Sequence, residues 1–106
     1  SGFCIFIRRE VFDRIGFFDE EAFPRGYGEE NDFCMRALKA GFRNVISPYA
    51  YVYHVRSASF GAKKERLIKG AVETVIRRHP DYVPLVKAAF ASPEMSALRA
   101  AVAGTR

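Results

Sequence analysis

No apolar run in this chain of 106 residues approaches the roughly 20 residues that a bilayer-spanning helix needs, the longest stretches being short ones such as residues 3–7. A transmembrane helix and a secretory signal peptide are both excluded as expectations from the sequence. Cysteine is scarce, with only Cys4 and Cys34. Both stand in apolar sequence surroundings, where an unpaired thiol acts as a small hydrophobe, so no disulfide framework is expected and a reducing compartment fits. Neither a glycine-rich phosphate loop nor a dinucleotide fingerprint occurs, and there is no internal repeat or low-complexity linker. The length leaves room for about one core. With 49% hydrophobic, 14% aromatic and 27% charged residues, the composition is that of a globular chain and excludes disorder along its whole length.

Charge is present in excess of one sign, and unevenly. Residues 1–55 hold 7 Lys/Arg against 8 Asp/Glu, whereas residues 56–106 hold 10 against 4, so a net charge of −1 is followed by one of +6. The two halves are expected to do different work. The basic half alone does not choose among a phosphate-bearing ligand, an anionic membrane, a nucleic acid and a plain solvated helix surface.

The segment Phe3-Cys4-Ile5-Phe6-Ile7 is β-branched and aromatic with no polar residue, which predicts a strand covered on both faces. Val11, Phe12 and Ile15 then fall at helical spacing before Gly16, a residue suited to a left-handed helix end. Residues 16–28 read as a loop lined by Phe17, Phe18, Phe23 and Tyr27. From Glu29 an amphipathic helix is predicted through Phe33, Ala37 and Ala40, stopping at Gly41. Short strands are expected over 43–46 and 49–55, a small-residue loop over 57–61, and a long helix over 62–79 with Leu67, Ile68, Ala71, Val72, Val75 and Ile76 on one stripe. Pro80 ends it. Two further helices are expected over 81–91 and 93–103, the second with Ser92 as N-cap and Pro93 in its first position.

Chemistry concentrates in Gly26-Tyr27-Gly28-Glu29-Glu30-Asn31-Asp32-Phe33-Cys34-Met35-Arg36, where three carboxylates crowd the point at which a glycine-containing loop enters a helix. Carboxylates so placed can act as a general base, bind a divalent cation or orient sugar hydroxyls. They also suit the positive end of the helix dipole, which needs no ligand at all. The aromatic, glycine-rich loop before them adds the stacking surfaces and close backbone approach that a polar ring-shaped ligand uses.

The order Gly2-Phe3-Cys4, Arg8-Arg9-Glu10-Val11-Phe12, Gly16-Phe17-Phe18-Asp19-Glu20, Gly28 to Arg36, Ala40-Gly41-Phe42-Arg43 and Val52-Tyr53-His54 resembles the second half of a family 2 glycosyltransferase. These enzymes have the GT-A fold and move a sugar from a nucleotide-sugar donor to a hydroxyl acceptor. The resemblance implies an α/β fold, namely a partial GT-A domain with a short mixed sheet over residues 1–61 and a helical C-terminal extension packed on it over 62–106. It places Glu30 in the position of the catalytic base, with a methylene more than the family's aspartate. Glu29, Asp32, Arg36, Gly28 and Tyr27 fall in the surrounding substrate-binding positions, and Asp19 in a position that braces the loop. Arg36 can also pair with Asp32 at four-residue spacing, and Glu29 can cap the helix. His54 matches a histidine that completes the site of a divalent cation, Mn²⁺ or Mg²⁺, with an imidazole favouring manganese. His79, beside Pro80, is expected to cap a helix or face solvent.

The family's Asp-x-Asp metal motif is absent, so the resemblance implies a C-terminal portion of a longer enzyme that is inactive alone. Its partners would be a nucleotide sugar and a saccharide or lipid-linked glycan, with no nucleic acid and with self-association through an exposed sheet edge. Its expected location is cytoplasmic, at or near the inner face of the membrane. Two other readings stand beside it. One is an interaction module that kept the fold and lost catalysis. The other is a polyanion-binding domain using the basic half, against which the lack of aromatics among those lysines and arginines counts.

Overall fold

The computed structural model describes residues 4–47, 49–50, 52–53 and 61–104. They form five helices in succession: α1 (Arg9–Ile15), α2 (Glu29–Lys39), α3 (Ala62–Arg78), α4 (Tyr82–Phe90) and α5 (Pro93–Gly104). Each helix packs on the next along the chain. The core forms where α1 meets α2. Val11, Phe33 and Ala37 are buried there, with Ile7, Phe12, Ile15, Phe18 and Phe42 packed around them. Phe33 holds the centre, its ring centroid 5.3 Å from Phe12 and 4.8 Å from Phe18 in tilted geometries that suit the aromatic quadrupole.

Local signals place the helix ends. α2 stops in a Schellman turn: the Gly41 N–H donates to the Leu38 carbonyl and the Phe42 N–H to the Ala37 carbonyl, both at 3.0 Å. Gly41 takes the positive φ of 94° that this turn needs, and Phe42 folds back onto the core. Ser92 caps α5 as expected, its hydroxyl accepting the Met95 N–H at 3.2 Å, and Pro93 occupies the first position of that helix. α3 ends before His79 and Pro80. Gly16 has the positive φ expected of it but an extended ψ of −165°, so the end of α1 is not a left-handed turn.

The α/β expectation is overturned, because among the described residues there is no strand and no sheet. Residues 4–7 and 43–46 are neither helical nor paired, and the described part of 49–55 is likewise unpaired. The side chains of these segments favour a pleated, half-buried surface, but a strand exists only when another segment completes its hydrogen-bond ladder. With no such ladder, Phe6 is 92% and Tyr49 96% exposed. Self-association through a sheet edge loses its basis with the sheet. Cys4 is exposed rather than set in apolar surroundings, while Cys34 is half-buried; both thiols are free.

The stripe predicted for α3 is buried at one position only. Val75 has no exposed surface, Leu67 and Ala71 are half-buried, and Ile68, Val72 and Ile76 stay more than a third exposed. Ala71 is where α3 comes up against Gly28 at the opening of the acidic helix. Gly28 has φ +85°, and a Cβ there would stand 3.0 Å from the Phe23 ring and 3.2 Å from Ala71 Cβ. Gly28→Ala is therefore expected to destabilise by about 2 kcal/mol, from the left-handed backbone and the displaced ring together. Thermal unfolding checks this, and a loss well under about 1 kcal/mol would mean that Phe23 yields freely.

Candidate active site

The acidic opening of α2 is built by the loop before it. Phe23, buried at 4% exposure, anchors the loop, and Asp19 ties it internally by accepting the Ala22 N–H at 3.0 Å. Gly28, in the left-handed conformation at the helix N-cap, then turns the chain so that Glu29, Glu30 and Asp32 share the first turn of α2. No side chain caps that helix end, so Glu29 does not take the capping role open to it.

The three carboxylates meet different surroundings. Asp32 has no exposed surface. Its Oδ2 accepts from Arg36 Nε at 3.0 Å, and its Oδ1 lies 2.7 Å from His79 Nε2 and 3.4 Å from an Arg78 nitrogen. A ligand reaches it only by displacing these bonds. Glu29 is half-buried, and its Oε2 is buried without a hydrogen-bond partner among the described residues. Glu30 is likewise half-buried, and no hydrogen bond or ion pair engages it among the described residues. Its charge is felt by two neighbours. Burial first, and then Glu30, push the Cys34 thiol above its ordinary range, and the same two causes raise the Tyr82 hydroxyl. Glu30 is thus a partly exposed carboxylate that nothing engages among the described residues, and its charge reaches Cys34 and the first residue of α4.

Arg36 does more than pair with Asp32. Its guanidinium also donates to the carbonyls of Ile15 and Phe17, each at 2.8 Å, and lies 5.4 Å from the Phe33 ring centroid. A planar fork that satisfies a carboxylate and two carbonyls holds the start of the loop against α2. Arg78 does the same from α3, donating to Asp19 Oδ2 at 2.8 Å and lying 5.9 Å from the Phe23 ring centroid. The Ala22 N–H first, and then Arg78, hold the Asp19 carboxyl below its ordinary range. Of the loop aromatics, Phe23 is core, Phe18 and Tyr27 are half-buried, and Phe17 is exposed.

His79 meets one half of the sequence-based expectation and corrects the other. It is the C-cap of α3, its N–H donating to the Val75 carbonyl at 2.7 Å, but at 4% exposure it does not face solvent, because its ring reaches across to Asp32. The signal for this was present in the stripe. Ala71, Val75 and His79 follow one another at four-residue spacing, so a polar ring continues the buried line of α3 and requires a buried partner. Arg78, which meets Asp19 and Asp32 only through the fold, carries no such signal in the sequence.

His54 lies outside the described residues. Among the described residues no group of three His, Cys, Asp or Glu side chains is disposed to hold a metal ion. The divalent cation that the resemblance implies rests on His54 and on an Asp-x-Asp motif absent from this sequence, so the described carboxylates do not bear on it. No helix among them is long and apolar enough to cross a membrane.

No protein-family model matches the chain, and no solved structure does. Curated relatives match part of it. It is 41% identical over 61 residues to an N-acetylglucosaminyl-diphospho-decaprenol L-rhamnosyltransferase of Mycobacterium tuberculosis, an alignment that takes in 58% of this chain and 19% of that protein. It is 38% identical over 58 residues to the uncharacterized protein y4gI of Sinorhizobium fredii, covering 55% of this chain and 6% of that protein. The chain thus spans under a fifth of the length of these relatives, and the likeness is a partial one to a glycosyltransferase.

Proposed function

We propose that this chain contributes the acceptor side of a glycosyltransferase, with Glu30 as the base that takes the proton of the acceptor hydroxyl. The observation that carries the reading is the division of labour at the opening of α2. Asp32 is consumed by internal bonds, while Glu30, two residues earlier, is partly exposed and without a bonding partner among the described residues. The partial likeness to a rhamnosyltransferase supports the same class.

The reaction is a single displacement. The acceptor oxygen bonds to the anomeric carbon of the donor sugar, the bond from that carbon to the diphosphate oxygen breaks, and the nucleoside diphosphate leaves with the bonding pair. The proton of the acceptor hydroxyl passes to a Glu30 oxygen. A carboxylate suits this because it orients the hydroxyl by accepting its hydrogen and takes the proton late, as positive charge builds on the sugar ring. Tyr27 and Phe17 line the approach, and Glu29 is the second carboxylate within reach of sugar hydroxyls. Gly28, Asp32 and Arg36 shape the site rather than touch the ligand. No step is assigned to a metal ion, because His54 lies outside the described residues and its cation belongs to the resemblance alone. Residues 1–61 carry the site and 62–106 support it. The relative's name points to a saccharide on a lipid diphosphate as the acceptor class.

The full-length gene product, given a panel of nucleotide sugars and a lipid-linked saccharide, is expected to form a glycoside of inverted anomeric configuration. Retained configuration, read by NMR of the product, would remove Glu30 from the role of base in a single displacement.

A further inference from the structure

The turn between α3 and α4 touches the acidic helix where His79 reaches Asp32. Tyr82, whose N–H donates to the His79 carbonyl at 2.9 Å, has its hydroxyl raised above its ordinary range by burial and then by the charge of Glu30. The His79 ring is defined at both nitrogens. The Lys39 ammonium approaches Nδ1, and since an ammonium only donates, Nδ1 accepts and the ring hydrogen sits on Nε2. That hydrogen is donated to Asp32 Oδ1 at 2.7 Å. The carboxylate so held presents Oδ2 to Arg36 Nε at 3.0 Å, and Arg36 in turn grips the Ile15 and Phe17 carbonyls. Arg78, beside His79, completes the frame through Asp19. The chain of bonds runs without interruption from Lys39 through His79, Asp32 and Arg36 to the loop that walls the site.

We infer that His79 is a positioning residue for the candidate base: by clamping Asp32 from the end of α3, it sets the first turn of α2 and the loop 16–28, and so the place from which Glu30 works. The inference rests on the proposed role of Glu30, and it makes the basic helical half part of the site rather than an appendage. Asp32 and His79 are 47 residues apart, and at 2.7 Å the ring makes a closer approach to Asp32 from the end of α3 than Arg78 does at 3.4 Å.

The test uses the full-length gene product with His79→Leu, which removes the donor, and His79→Gln, whose amide N–H can replace it. At a temperature where all variants remain folded by circular dichroism, His79→Leu is expected to lower kcat roughly ten- to a hundredfold, the scale of a small displacement of a catalytic group. The donor KM should stay within about twofold, and His79→Gln should recover most of the loss. Hydrogen exchange read by mass spectrometry over residues 16–33 should quicken in His79→Leu and return in His79→Gln. An unchanged kcat in folded His79→Leu overturns the inference, as does a loss that glutamine does not repair. Glu30→Gln assayed beside these variants separates the two ideas. If it retains transfer, or if wild type transfers no sugar, the function reading fails, and the positioning role is judged on exchange, where an unchanged rate over 16–33 overturns it.

Discussion

Asp32→Asn is expected to lower the free energy of unfolding by about 3 kcal/mol, near the low end for removing one partner of a buried ion pair. The carboxylate has no exposed surface and serves Arg36, His79 and Arg78 at once. An amide offers one oxygen where two are used, and its NH₂ group would confront either the His79 N–H or the Arg36 N–H, donor against donor. The loss stays short of the upper range because the neighbours keep other acceptors. Arg36 retains the Ile15 and Phe17 carbonyls, Arg78 retains Asp19, and both guanidinium groups reach solvent. Urea unfolding followed by circular dichroism measures the effect. A change below about 0.5 kcal/mol, the ordinary scale of a surface substitution, would show that Asp32 is not the hub these distances describe.

What was legible in the sequence was local. α1, α2, α3, α4 and α5 all lie where apolar spacing and end signals put them, because a helix makes its hydrogen bonds within one segment and its caps within a few residues. Ser92, Pro93 and Gly41 each announced an end that the fold uses. The strands were not legible in the same way. Ile5, Phe6 and Val45 have side chains that a sheet favours, but the ladder that makes a strand is supplied by another segment, and among the described residues none supplies it. At the site, the pairing of Arg36 with Asp32 followed from four-residue spacing. The carbonyls that Arg36 also holds, 21 and 19 residues away in sequence, did not. His79 shows the limit most plainly: its place on the stripe of Ala71 and Val75 marked it for burial, while its partner could be named only once α2 and α3 were packed together.

The second large effect falls on activity. Glu30→Gln keeps the size of the side chain and removes its basicity. General-base catalysis is worth typically 10²- to 10⁴-fold, so transfer by the full-length gene product should fall by roughly that factor. Stability should change little, since no bond of the described structure depends on Glu30. The substitution also withdraws the negative charge that helps raise the Cys34 thiol, so that thiol should shift toward its ordinary range and mark the variant as locally altered but folded.

The most direct measurement is acceptor-dependent release of nucleoside diphosphate by the full-length gene product, supplied with Mn²⁺ or Mg²⁺ and a panel of nucleotide sugars, with wild type and Glu30→Gln side by side. Release that requires the acceptor and collapses by about a hundredfold or more in the variant is the expected result. Acceptor-dependent release that proceeds equally in both proteins would contradict the assignment of Glu30, and no release with any donor would contradict the transferase itself.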